Sequence, residues 1–120
     1  MRSRSNTALQ SLGLLNETQR IEMSRKLAER LIKSTDDDQR RLDFLYGLLS
    51  SRKPTANEKK ACMKLVATMR ERYKSSEEDA LSLISSGDAP RDQKIPVAEL
   101  AAWTQLTTIV LASDAAILIY

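Results

Sequence analysis

Apolar residues recur along the chain at the helical period of 3.6, separated by short polar breaks. The first stretch, "SNTALQSLGLL", puts Leu9, Leu12 and Leu15 on one side and predicts a short helix capped by Asn6 or Thr7, with Gly13 weakening it. Asn16 is a second N-cap, and Glu17 suits the positive end of the helix dipole. Ile21, Leu27, Ala28, Leu31 and Ile32, with Met23 four residues before Leu27, predict a helix to about Lys33. Glu22 and Lys26 stand at i,i+4 in the favourable order.

"STDDD" breaks the pattern, and Asp36 to Asp38 load the start of a third helix carrying Leu42, Leu45, Tyr46 and Leu49 at i, i+3, i+4 and i+7. The three aspartates lack the spaced oxygen ligands, the glycine and the distal Glu of a calcium loop, so they read as a cap. Pro54 then disfavours helix at Lys53, and Thr55 with Glu58 writes a capping box. The helix that follows has Cys62, Leu65, Val66, Met69 and Tyr73 on one face and Lys60, Lys64 and Glu71 on the other. "SSEEDALSLISSG" predicts a short helix capped by Ser75 or Ser76, acidic in its first turn and stopped by Gly87. "GDAPRDQKIP" is a loop, with Pro96 at the first position of the last helix.

That last helix has no polar face. Val97, Leu100, Ala101 and Leu111 mark one stripe, and Trp103, Leu106 and Val110 mark another, as expected of a helix at the centre of a fold or across a membrane. Only 14 residues separate Glu99 from Asp114, against the roughly 20 that a bilayer needs. Gln105 and three threonines (Thr104, Thr107, Thr108) interrupt the run, and extending it to Tyr120 would place Asp114 in lipid. A central core helix is the expectation, with no membrane span.

Composition narrows the chemistry. The chain has 120 residues, 42% hydrophobic and 29% charged, with only 3 Gly and 3 Pro, which fits one globular, helix-rich domain. Histidine is absent, which excludes Ser-His-Asp and Cys-His catalysis, imidazole metal ligation and haem attachment through Cys-x-x-Cys-His. The single cysteine, Cys62, forms no intrachain disulfide and reads as a small core residue. No glycine-rich phosphate loop or motif-placed carboxylate pair is present. Catalytic residues, metal ligands and cofactors are therefore none. Residues 1–74 hold 17 Lys and Arg against 9 Asp and Glu, while residues 75–120 hold 2 against 7. Two halves that neutralise each other, or a basic surface for an anionic partner, both follow from that asymmetry. Arg2 and Arg4 resemble a signal n-region, but no small-residue cleavage site follows, so the chain as given is expected in the cytoplasm.

"SNTALQSLGLLNE", "SRKPTANE", "GDAPRD" and "AELAAWTQL", in that order, resemble the closing part of a planctomycete-specific domain of unknown function. The resemblance runs from about Arg4 to Asp114. That domain ends large exported proteins with cytochrome c-like segments nearer the N-terminus. The resemblance therefore implies exported full-length relatives, a detached or shortened tail here, and the rest of the domain as a natural partner. An electron-transfer accessory is implied by context alone. Ala8 departs from a common family proline, and Ala112, Ser113 and Ala115 break an Asn-x-Asp/Asn-Glu pattern around Asp114. The family supplies no catalytic residues to carry over.

The expected fold is all-α: an irregular bundle of five to six helices with the C-terminal helix most buried. Residues 1–4 form a basic tail and residues 5–120 a single helical domain. The expected function is that of a non-catalytic helical module in contact with another protein chain or with the missing part of the family domain. The alternative is a small basic nucleic-acid-binding protein, which is disfavoured because no basic face is interleaved with aromatics. Asp88, Arg91, Asp92 and Trp103 are the candidate interaction or structural residues. "GDAPRD" either binds through Arg91 and its flanking aspartates or is a rigid loop with an internal Arg–carboxylate pair.

Overall fold

Helix-forming segments separated by capped breaks give five α-helices among the described residues: α1 (Glu17–Ser34), α2 (Asp38–Ser50), α3 (Ala56–Ser75), α4 (Glu77–Ile84) and α5 (Val97–Ile119). The structure, a computed structural model, describes residues 16–50, 53–85, 87 and 90–119. The expected helix over "SNTALQSLGLL" lies outside the described residues, as does Asp88.

The caps explain where the helices begin. Asn16 Oδ1 accepts the Gln19 N–H at 2.8 Å, and Gln19 Oε1 accepts the Asn16 N–H at 3.0 Å. This is a reciprocal capping box. Thr55 and Glu58 form the expected second one. Asp37 Oδ1 accepts the Gln39 N–H at 3.0 Å, so "STDDD" caps α2. Two details differ from expectation. Ser76 stands at the start of α4 but its side chain makes no capping bond there, and its backbone N–H closes α3 on the Arg72 carbonyl. Pro96 stands one residue before α5, where its carbonyl accepts the Leu100 N–H at 3.0 Å.

The core forms around α5. Leu100, Ala101, Ala102, Trp103 and Thr104 are consecutive and all fully buried. Five residues sweep more than one helical turn, so α5 is enclosed on every side at this level. It packs chiefly on α1 and α3, then on α4 and α2. The apolar core joins Ala28 and Leu31 of α1, Leu42, Leu45 and Tyr46 of α2, Val66 and Tyr73 of α3, and Ala80 and Ile84 of α4 to Trp103, Leu106 and Val110. Thr104 and Thr108 are tolerated within α5 because they donate their hydroxyls to carbonyls one turn back, at 2.7 and 2.8 Å. Among the described residues, no helix is long and apolar enough to cross a membrane.

α1 and α5 run antiparallel. Glu17, Arg20 and Ile21 lie beside Gln105 and Thr108, whereas Glu29 meets Asp92 just ahead of α5.

Candidate functional site

Two polar constellations stand out. The first is a charged hub where α2, α3 and α5 meet. Glu99, in the first turn of α5, accepts on Oε1 from Arg70 Nη2 at 2.6 Å, Trp103 Nε1 at 3.0 Å and Arg41 Nη1 at 3.1 Å. Its Oε2 accepts from Arg70 Nε at 2.9 Å. Arg70 thus grips Glu99 with two nitrogens, the strong geometry for a guanidinium and a carboxylate. Arg70 Nη2 also reaches both oxygens of Asp38 at 3.1 and 3.2 Å. Arg41 Nε donates to the Thr35 carbonyl at 2.7 Å. The Arg41 guanidinium lies 5.6 Å from the Trp103 ring centroid, within cation–π range.

Burial alone would raise the Glu99 carboxyl pKa, but the Arg70 hydrogen bond, the charges of Arg70 and Arg41 and the Trp103 N–H outweigh it and hold the group below the ordinary carboxylate value. The Glu99 hydrogen bond holds the Arg70 guanidinium above its ordinary value in turn. Both groups are therefore charged at neutral pH, as a structural ion pair requires.

The second constellation fastens the "GDAPRD" loop along α1. Gly87, at φ 89°, packs so closely on Glu22 that a Cβ there would collide with that side chain. Arg25, fully buried, donates from Nη1 to Glu29 Oε2 at 3.0 Å and to the Pro90 carbonyl at 3.2 Å. Glu29 Oε2 also accepts the Asp92 N–H at 2.8 Å, and Lys33 Nζ pairs with Asp92 Oδ2 at 2.7 Å. Glu22, Arg25, Glu29 and Lys33 lie at helical spacing on one face of α1. Gly87, Pro90 and Asp92 thus meet successive turns of α1.

Of the sequence-predicted site residues, Asp92 belongs to this strap and Trp103 to the hub, and no described group is shared by the two. The ion-pair partner of Asp92 is Lys33 of α1, rather than the neighbouring Arg91, which is half-buried. Glu22 lies against Gly87, and Lys26 has no ion pair among the described residues. Sequence reasoning missed Asp38, Arg41, Arg70 and Glu99 as a set. One signal was available: Glu99 is the only charged residue between Lys94 and Asp114, four residues before the only tryptophan. Cys62 is half-buried; burial pushes its thiol pKa up, and a hydrogen bond with Tyr46 offsets that only in part. Among the described residues, no cluster of three or more His, Cys, Asp or Glu is placed to hold a metal ion.

No curated protein and no solved structure matches the chain. A family model does, the one described as PSD1, protein of unknown function (DUF1553), over residues 1–66. The matched span includes "SNTALQSLGLLNE" and "SRKPTANE", while "GDAPRD" and "AELAAWTQL" follow it. With more than half of its 120 residues matched, the chain belongs to the DUF1553 family of proteins of unknown function.

Proposed function

We propose that the chain is a non-catalytic helical module, a structural segment that packs against other protein, with the rest of a larger family domain as its natural partner. The observation that carries this reading is the closure of the hub. Glu99, Arg70, Arg41, Asp38 and Trp103 direct their hydrogen bonds at one another and at the α1–α2 connection. Groups held in this way stabilise a helix junction and leave no poised acid, base or nucleophile at that place. The same pairing argues against the nucleic-acid reading. Arg25, Arg41 and Arg70 face carboxylates inside the fold, which removes three cations from any phosphate-binding surface.

Light scattering after gel filtration tests the proposal. Mixed with the separately produced upstream part of a longer family member, the chain should elute as a stoichiometric complex. Independent elution of the two at concentrations of about 10 μM, a modest affinity for a specific interface, would sink it.

A further inference from the structure

We propose that the open depression between α1 and α2 is a docking surface for an acidic amphipathic helix of another protein. This rests on the interaction reading above and names the surface involved. The depression has a volume of about 490 Å³ and is lined by Lys26, Glu29, Arg30, Lys33, Ser34 and Phe44. Its three cations face one carboxylate, and that carboxylate is already held by the buried Arg25. Lys33 is paired with Asp92. Lys26 and Arg30 have no carboxylate among the described residues, so two positive charges point into one hollow uncompensated.

Apolar surface adjoins them. Arg30 lies 5.5 Å from the Phe44 ring centroid, which makes the floor of the hollow a cation over an aromatic ring. Met23 precedes Lys26 by one turn and is 38% exposed, and Leu48 follows Phe44 by one turn and is 40% exposed. Large apolar side chains beside unpaired cations match a helix whose hydrophobic stripe is flanked by acids. Lys26 and Arg30 are one turn apart, about 6 Å of helix rise, the spacing of two carboxylates at i and i+4 on a partner helix. A nucleic acid would use the cations but not the methionine and leucine, and Arg30 already covers the ring on which a base would stack.

The test is fluorescence anisotropy on the full chain, with a fluorescein-labelled helical peptide that carries glutamates at i and i+4 beside a leucine stripe. Saturable binding is expected, weakened at least about tenfold by Lys26→Glu with Arg30→Glu and by raising salt from about 0.05 to 0.5 M. Met23→Ser with Leu48→Ser should weaken it about fivefold. All four positions are exposed, and matching circular dichroism would verify that the variants fold. No saturable binding to the unaltered chain would overturn the proposal. So would equal binding by the serine-for-leucine peptide or by oligo-dT, which would mean a general polyanion surface. Salt-sensitive self-association in sedimentation, abolished by the charge reversals, would assign the hollow to a second copy instead. Peptide binding that survives the charge reversals would remove this surface while leaving the interaction reading of the module in place.

Discussion

Trp103 is fully buried, with its indole N–H on Glu99 and the Arg41 guanidinium near its ring. Its emission should be blue-shifted and poorly quenched by iodide. Trp103→Ala should cost about 3–5 kcal/mol in urea unfolding, and a near-zero cost would contradict its place in the core. Thr107 makes the opposite prediction. Its hydroxyl is buried with no partner among the described residues. Thr107→Val keeps the branched shape and removes an unsatisfied polar atom, so it should stabilise by about 1 kcal/mol. A loss of stability would mean that the hydroxyl is bonded. At this scale apolar identity was legible in the sequence, and polar identity was not. Trp103 lies in the core as its chemistry suggests, whereas Cys62 is half-buried and packs against it. The burial of Arg25 and Arg41 is not readable from residue type, because arginine is buried only where the fold supplies carboxylates and carbonyls from distant segments. The farthest of those partners, Pro90 for Arg25 and Glu99 for Arg41, lie 65 and 58 residues away.

The helices themselves were legible because their ends carry local instructions. Asn16, Thr55 and Asp37 accept N–H groups of their own first turns, contacts set by three or fewer residues of sequence. Gly87 was expected to stop α4; the helix ends at Ile84 with Ser85 as its cap, two residues before Gly87, whose φ is positive. Its second role was hidden, since the proximity of Glu22 depends on α1 lying beside the loop. Gly87→Ala should therefore destabilise by more than the usual left-handed penalty of about 1–2 kcal/mol, because the added methyl also displaces Glu22. In Gly87→Ala with Glu22→Ala the excess should shrink but not vanish, because the Cβ of residue 22 itself lies 2.8 Å from the added methyl. Equal penalties with and without Glu22→Ala would show that the Glu22 carboxyl end carries none of the excess.

For the molecule as a whole, the lone apolar helix announced its own centrality, and α5 is indeed enclosed by the others. What the sequence could not announce was the hub, which needs α2, α3 and α5 brought together before its charges have meaning. The hub sets the acid response. The folded state holds Glu99 below its ordinary value of 4.5, so it resists protonation where the unfolded chain does not. Glu99 thus contributes fully above about pH 4.5, and its contribution is lost as pH falls through the folded value. Asp92, lowered by its Lys33 hydrogen bond and its Lys94 N–H, acts in the same direction. Glu99→Gln should lower the urea midpoint at pH 7 and flatten its decline toward pH 3. An unchanged acid limb would remove Glu99 as its source.

The helix at the centre of the fold is also the last of the five to be synthesised. At roughly 5–20 residues per second, the inner faces of α1, α3 and α4 emerge from the ribosome several seconds before α5, the surface they are shaped to cover. Ala28, Leu31, Val66 and Ala80 must wait in a half-built state, linked only by the weaker contacts these helices make among themselves. Completion of the native core consequently hinges on the arrival of Leu100 to Leu111. During that interval the nascent chain exposes the apolar stripes that chaperones recognise and that neighbouring copies can mistake for their own missing helix.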